Sequence, residues 1–458
     1  MNFLGVNFPV SNVPVLDTGF VPLGKFFATV KANGKEDFAV AVERTNGSVS
    51  VYKTKIFGTA DMAAADDYYI DRLVKFMLWS KGGYKVYLCG NETVCKAVAA
   101  AYTPNGSRSF DYGFMTRVYE RPMEVVCLPY SQCPAQHEMS KAVGRHLDGC
   151  RIGFDAGGSD RKVSAVIDGN PVYSEEVVWF PKTESDPDYH FNGIVEAMKT
   201  AASKMPRVDA IGVSSAGVYV DNRTMVASLF LKVSDADFDA KVKDIYTRAA
   251  KEIGENIPIE VANDGDVTAL AGAMGLEDTG VLGIAMGTSE AVGYVDLEGK
   301  ITGWLNELAF APVDGQSDAM EDEWSGDIGC GVKYFSQDGV IKLAPRAGIT
   351  LQGSSPAEKL KEVQALMLED DERAANIYDS LGVCLGHTLA LYAQFYDIKH
   401  VLMLGRLTSG KGGDILLART NEVLKNEYPE ITFVAEAPDE KAKRVGQSVA
   451  AASLPEVL

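Results

Sequence analysis

Basic runs are missing from this sequence. Its 44 Lys and Arg stand against 63 Asp and Glu, a formal charge of −19, and no cluster of basic residues interrupts that acidity. Such a field repels phosphate backbones and anionic lipid, which argues against nucleic acid and membrane surfaces as partners. Long apolar runs are missing as well: none approaches the ~18 residues of a membrane span. The opening MNFLGVNFPV has no basic residue ahead of Lys25, so no secretory leader is expected and the protein reads as cytoplasmic. Histidine is scarce, and His137, His146, His190, His387 and His400 have no metal-ligand spacing. The seven cysteines include no close CxxC pair, which predicts reduced thiols rather than a zinc ribbon or a disulfide framework.

What is present is ordinary globular material, 46% apolar and 23% charged over 458 residues, enough for two or three domains. The element pattern repeats. Strands are expected at Lys25 to Val30, Asp37 to Glu43 and Ser48 to Lys55, with turns at Asn33-Gly34 and Asn46-Gly47. A helix from Ala63 to Trp79, a strand from Tyr84 to Leu88 and a helix from Glu92 to Tyr102 follow. After Arg151 the order returns: strands Ile152 to Asp155, Lys162 to Ile167 and Val172 to Val178, a helix Phe191 to Lys204, a strand Val208 to Val213, a helix Ala236 to Ile253 and a strand Ile257 to Ala262. It returns again with Leu282 to Met286, Ala291 to Leu297 and Lys300 to Leu305, helices Ala357 to Leu368 and Asp371 to Tyr396, a strand His400 to Leu404, a helix Asp414 to Asn426, a strand Ile431 to Ala435 and a closing helix from Glu440. Ser355-Pro356 is a helix start, a serine cap followed by proline in the first turn. The fold class read from this is α/β, with a duplicated βββαβαβ plan.

Four turns in this plan carry chemistry-bearing residues. Asp155-Ala156-Gly157-Gly158-Ser159 joins two strands with glycines that let the main chain approach a phosphate, though a plain Gly-Gly hairpin fits it equally well. Gly287-Thr288-Ser289-Glu290-Ala291 occupies the equivalent place in the next repeat, and by itself reads as an ordinary hairpin. In Asn263-Asp264-Gly265-Asp266 a strand ends in acids where a helix begins, so a carboxylate there is either a general base or a helix cap; Asp266 is expected to cap, and for Asp264 both readings stand at this point. Gly405 to Asp414 is a glycine-rich strand-to-helix loop without the Walker A spacing.

In this order the motifs resemble the superfamily of sugar kinases, hexokinase, heat-shock chaperone ATPases and actin, and within it the ROK family of sugar kinases and repressors. GFDAGGSDRKVSAVIDG is similar to its first phosphate motif, IGVSSAG to its short glycine-rich stretch, and VANDGDVTALAGAM to its catalytic segment. AMGTSEAVGYVD is similar to the second phosphate motif, VLMLGRLTSGKGGDILL to the adenosine motif and RVGQSVAAASL to the final helix. The resemblance covers about Arg151 to Leu458. It implies a two-lobe ribonuclease H-like, actin-like ATPase fold. The lobes would be residues 146–262, with a C-terminal helix 440–458, and residues 263–439. Residues 1–145 would form an additional α/β domain, open to being a degenerate copy of the same fold.

What the resemblance implies chemically is ATP-dependent phosphoryl transfer to a hydroxyl of a small carbohydrate-like substrate. Asp264 would be the base, and Asn263 and Glu307 would bind the acceptor. Gly157, Gly158, Ser159, Gly287, Thr288 and Gly405 would hold phosphates and nucleoside, with Asp155 acting on Mg²⁺ through water. The partners are then ATP and the substrate, with a homodimer left open. The chain departs from the family at Leu305-Asn306-Glu307-Leu308-Ala309-Phe310, where Phe310 takes a histidine's place, and at Cys330-Gly331-Val332, where a single cysteine stands for a cluster. No zinc is therefore expected. Ser289, Ala291 and Arg406 also replace glycines that the family prefers. The other reading is a non-catalytic sugar or nucleotide sensor on the same scaffold. Residues 1–145 read as strand-rich and acidic rather than as a repressor's helix-turn-helix, and no segment suits an ATPase that drives a partner.

Overall fold

The computed structural model describes residues 1–138, 143–440, 443 and 445–457. The chain divides into one unit of residues 1–139, 284–292 and 304–437 and another of residues 140–283, 293–303 and 438–458.

In the second unit, Cys150–Ala156, Asp160–Ile167 and Asn170–Val178 form the antiparallel meander that their β-branched, turn-bounded pattern predicts. Ala210–Ser215 and then Ile259–Asn263 extend it in parallel from the Cys150–Ala156 side. Three antiparallel strands followed by two parallel ones make a ribonuclease H-like sheet. Successive side chains alternate between its faces. Ile152 and Phe154 join Ile194, Met198, Tyr246 and Ala249 in one core. On the opposite face lies the helix Gln447–Ala452. A Cβ on Gly153 would fall 1.6 Å from the Ser448 carbonyl oxygen, and one on Gly212 1.6 Å from that of Ala451, so glycine is what lets this helix lie against the strands. The closing helix expected from Glu440 begins at Gln447, and residues 441, 442, 444 and 458 of that expectation lie outside the described residues. The helix expected over 236–253 is broken into Asp235–Asp237, a π-helical Phe238–Val242 and Ile245–Lys251.

The first unit opens differently from expectation: Lys25 to Val30 is not a strand but part of the helix Leu23–Asn33. Its buried residues Leu23, Phe26, Phe27 and Val30 recur every three or four positions, a helical period in place of alternation. The adjacent sheet runs Val49–Ile56, Glu36–Glu43, Lys85–Cys89, Glu124–Leu128, antiparallel, antiparallel, then parallel. That is the order and direction of the ribonuclease H-like sheet with its first strand left out. The helix Ser109–Tyr119 and the strand Glu124–Leu128 were not foreseen.

A further sheet runs Glu290–Val295, Val281–Met286, His400–Leu404, Ala435–Glu436. The third meander strand expected at Lys300 to Leu305 is reduced to an isolated Val295↔Ile301 bridge, because Gly303 has φ +68°, outside the extended range. Helices Pro356–Leu368, Glu372–Tyr392 and Gly410–Glu427 accompany it. The first begins as its sequence predicts: Ser355 Oγ accepts from the Glu358 amide at 3.3 Å, and Glu358 accepts from the Ser355 amide at 3.0 Å.

Within the first unit, the helix Ala63–Lys81 is joined to residues 322–333 by buried charge. Asp327 receives Arg72 at 2.8 Å, Lys75 at 2.8 Å and Arg108 at 2.9 Å, and these cations hold its carboxyl far below the usual range although burial opposes them. Removing the Asp327 charge leaves three buried cations with only Asp71 and Asp111 to offset them. Asp327→Asn is expected to cost about 3–4 kcal/mol, read as a lower urea midpoint at pH 7. The loss should shrink as pH falls through the carboxylate range, since a depressed folded-state pKa stabilises only above it.

Candidate functional site

The second unit brings the first set of predicted residues to one end of its sheet. Parallel register aligns Asp155 with Ser214, and Ser215 with both Ala156 and Asn263, so three strands finish side by side. Ser214 Oγ donates to Asp155 Oδ1 at 2.9 Å. Gln447 Nε2 donates to Ser214 Oγ at 2.9 Å and to the Asp264 carbonyl at 3.1 Å, tying the ends together. Asp264 opens the helix Asp264–Leu276, and its Oδ1 accepts from the Gly265 amide at 3.0 Å. Burial is the main reason that both carboxyls titrate high. Asp155 is pushed up to about 6, with the Asp264 charge adding to the effect, and Asp264 is also raised.

Asn263 is the helix cap, with Oδ1 2.7 Å from the Gly265 amide, while its Nδ2 donates to the Gly217 carbonyl at 2.7 Å. Asp266, expected to cap, instead accepts from the Tyr294 amide at 3.0 Å. The Gly157-Gly158-Ser159 turn is braced from behind: Trp179 Nε1 donates to the Gly157 carbonyl at 2.8 Å, and its amide donates to the Ser159 carbonyl at 3.1 Å. Ser159 Oγ donates to Asp160 Oδ2 at 3.0 Å. Lys182 is a residue that the sequence did not single out. Its Nζ lies 3.0 Å from where a Gly158 Cβ would sit, and its charge acts on Asp264, so a cation stands at the glycine turn. Ser214 and Gln447 were missed as well, because only strand register and the helix on Gly153 and Gly212 bring them in.

The first unit holds the others. Gly287, Thr288 and Ser289 form the turn between two strands, with Thr288 and Ser289 exposed and the Gly287 carbonyl accepting from the Gln337 amide at 2.9 Å. Gly405 has φ +97°, and a Cβ there would fall 2.3 Å from the Met286 carbonyl oxygen, so it sits beside the Gly287 turn. The helix that begins at Gly410 has no side-chain cap at Ser409 and no acid in its first turn, which leaves its N-terminal amides available to an anion. Beside it is a cavity of about 260 Å³ lined by Gln364, Ala365, Leu368, Tyr378, Ser409 and Gly412 among others. Glu307 precedes the short turn Leu308–Phe310, next to the fully buried Glu290.

Phe310 packs between Trp79, tilted at 43°, and Trp324, edge-on at 67°, each 4.8 Å away between ring centres, and Ala309, Cys330 and Val332 pack as an apolar cluster. Trp324 is half exposed at the rim of this group, whereas Trp304 lies over the buried Lys81 ammonium. Among the described residues, no group of three or more His, Cys, Asp or Glu is arranged to hold a metal ion, and no helix is long and apolar enough to cross a membrane.

No family model matches the sequence, and no curated protein matches it. Solved structures do. A ROK family glucokinase from Streptomyces griseus, in complex with glucose and AMPPNP, is 20% identical over 66% of this chain and 98% of its own, with a TM-score of 0.47. A ROK hexokinase from Thermus thermophilus is 17% identical over 66% and 96%, with a TM-score of 0.49. A ROK family transcriptional regulator, a homolog of an E. coli protein, is 17% identical over 67% and 78%, with a TM-score of 0.48.

Proposed function

We propose that the protein transfers the γ-phosphoryl group of ATP to a hydroxyl of a small carbohydrate-like substrate, with Asp264 as the base. The observation that carries this reading is the joining of Asp155 and Asp264 through Ser214 and Gln447, with Lys182 at the adjoining glycine turn. Phosphoryl transfer needs little covalent chemistry from the protein; it needs a positioned acceptor, a base and charges that offset the phosphate. Asp264 is held at a helix start by the Gly265 amide, and a carboxyl raised by burial is a better proton acceptor than an exposed one. Asn263 has both polar ends engaged with backbone, so its part is to fix the helix start and with it the direction of Asp264. Glu307 remains the candidate for the acceptor's hydroxyls.

An all-oxygen, carboxylate-bearing strand end suits Mg²⁺, and Asp155 is the residue that would hold it; a buried carboxyl with a raised pKa gains from a nearby cation. The ion, when bound, would offset charge on the phosphate oxygens. Gly157, Gly158 and Ser159 with Lys182, and separately Gly287 and Thr288, are the proposed phosphate contacts. The Gly405 loop, with the uncapped helix start and the cavity beside it, suits a nucleoside. Residues 1–145 are proposed as a copy of the fold that has lost its first strand and with it the phosphate turn.

Incubation with MgATP and a panel of sugars, amino sugars and polyols tests the reading, and ADP release no greater than that of Asp264→Asn would overturn it. Tight sugar binding by calorimetry with no nucleotide binding would favour the sensor instead. Lys182→Ala is expected to raise the KM for ATP about tenfold with a smaller effect on the acceptor's, and Lys182→Arg to recover part of the loss.

A further inference from the structure

Four of the seven cysteines converge in the amino-terminal part of the first unit. Cys89 ends the strand Lys85–Cys89, Cys95 lies in the helix Glu92–Ala101, Cys127 is in the strand Glu124–Leu128, and Cys133 follows the turn Tyr130–Gln132. The two strands are parallel neighbours in the register Leu88↔Cys127 and Cys89↔Leu128. The Cys95 thiol donates to the Leu88 carbonyl at 3.3 Å, which places it beside Cys127, the residue opposite Leu88. Cys127 lies near enough to act on the Cys95 thiol, and Cys133 on the Cys89 thiol. Each pair has an inner and an outer member: Cys89 and Cys95 are fully buried, Cys127 is exposed and Cys133 is half-buried. All four are free thiols.

We propose that these residues form two oxidisable thiol pairs, Cys95–Cys127 and Cys89–Cys133, which close to disulfides by exchange with a low-molecular-weight disulfide. The outer thiol loses its proton and attacks one sulfur of the small disulfide, whose S–S bond breaks to release one small thiol. The inner thiol then loses its proton and attacks the outer sulfur, forming the protein disulfide and releasing the second small thiol. Each bridge removes two electrons and two protons from the protein, and both reside afterwards in the two small thiols. Reaction starts at the outer cysteines because burial pushes Cys95 up to about 12 and raises Cys89 as well, which keeps both inner thiols protonated until a neighbouring sulfur is activated. The bridges tie the helix Glu92–Ala101 and the segment after the Tyr130–Gln132 turn to the two strands.

The test uses the full chain, incubated with oxidised glutathione, blocked with N-ethylmaleimide and mapped by peptide mass. Linked peptides for both pairs are expected, with Cys150, Cys330 and Cys384 left as thiols and the melting temperature raised by about 5 °C. Cys127→Ser, at an exposed position, should leave the Cys89–Cys133 bridge intact and Cys95 unbridged. Unreacted thiols, persistent glutathione adducts without internal bridges, or other pairings would each overturn the proposal. So would stoichiometric zinc that protects all four cysteines together, which would make them a metal site.

Discussion

Replacing Asp264 with asparagine is expected to lower kcat for ATP-dependent phosphorylation by about 10²- to 10⁴-fold, the usual contribution of a positioned general base. Folding and nucleotide affinity should hardly change. The asparagine keeps an oxygen for the Gly265 amide, and Asp264 is a group whose charge burial penalises, so the neutral side chain removes a cost while losing a favourable position at a helix start. The two effects oppose each other within about 1 kcal/mol. A loss of turnover with unchanged melting temperature and unchanged calorimetric ATP affinity identifies the base; undiminished turnover would mean that another group accepts the proton.

The second large effect is on stability. Glu290 follows the Gly287-Thr288-Ser289 turn and is buried; its Oε1 accepts from the Tyr392 hydroxyl at 3.2 Å, while Oε2 has no hydrogen-bond partner among the described residues. Burial first, and the Glu307 charge beside it, push its carboxyl up from 4.5 to about 8. Between those values the folded protein keeps a proton that the unfolded chain releases. Stability therefore falls as pH rises through this window, at about 1.4 kcal/mol per unit and on the order of 5 kcal/mol in all, and levels off above about 8. Glu290→Gln removes the titration. The variant should match the parent near pH 5 and exceed it by several kcal/mol at pH 8, measured as urea midpoints at the two values. Parallel pH dependence of the two proteins would show that Glu290 ionises without penalty.

Much of the plan was legible in local pattern. The meander from Arg151 to Gly169, the strand His400–Leu404 and the capped start at Ser355-Pro356 rest on alternation, turn residues and capping, which act over a few positions. Lys25 to Val30 is helical rather than the expected strand because a short apolar run is compatible with two periods, and only the rings packed on Phe26 and Phe27 select the helical one. Lys300 to Leu305 failed because Gly303 takes a left-handed φ that composition does not announce.

The site divides along the same line. Asp155, Asp264 and the glycine turns could be named from the chain alone, since acids at strand ends and glycines in tight turns have local physical reasons to be there. Sequence by itself thus determined the ribonuclease H-like order of elements and the residues at the strand ends. Tertiary structure decided what those residues meet: strand register sets Ser214 against Asp155, a helix lying on Gly153 and Gly212 delivers Gln447, and Lys182 reaches the turn from a separate segment. These partners are distant in sequence, and the burial that raises Asp155, Asp264 and Glu290 exists only in the folded chain.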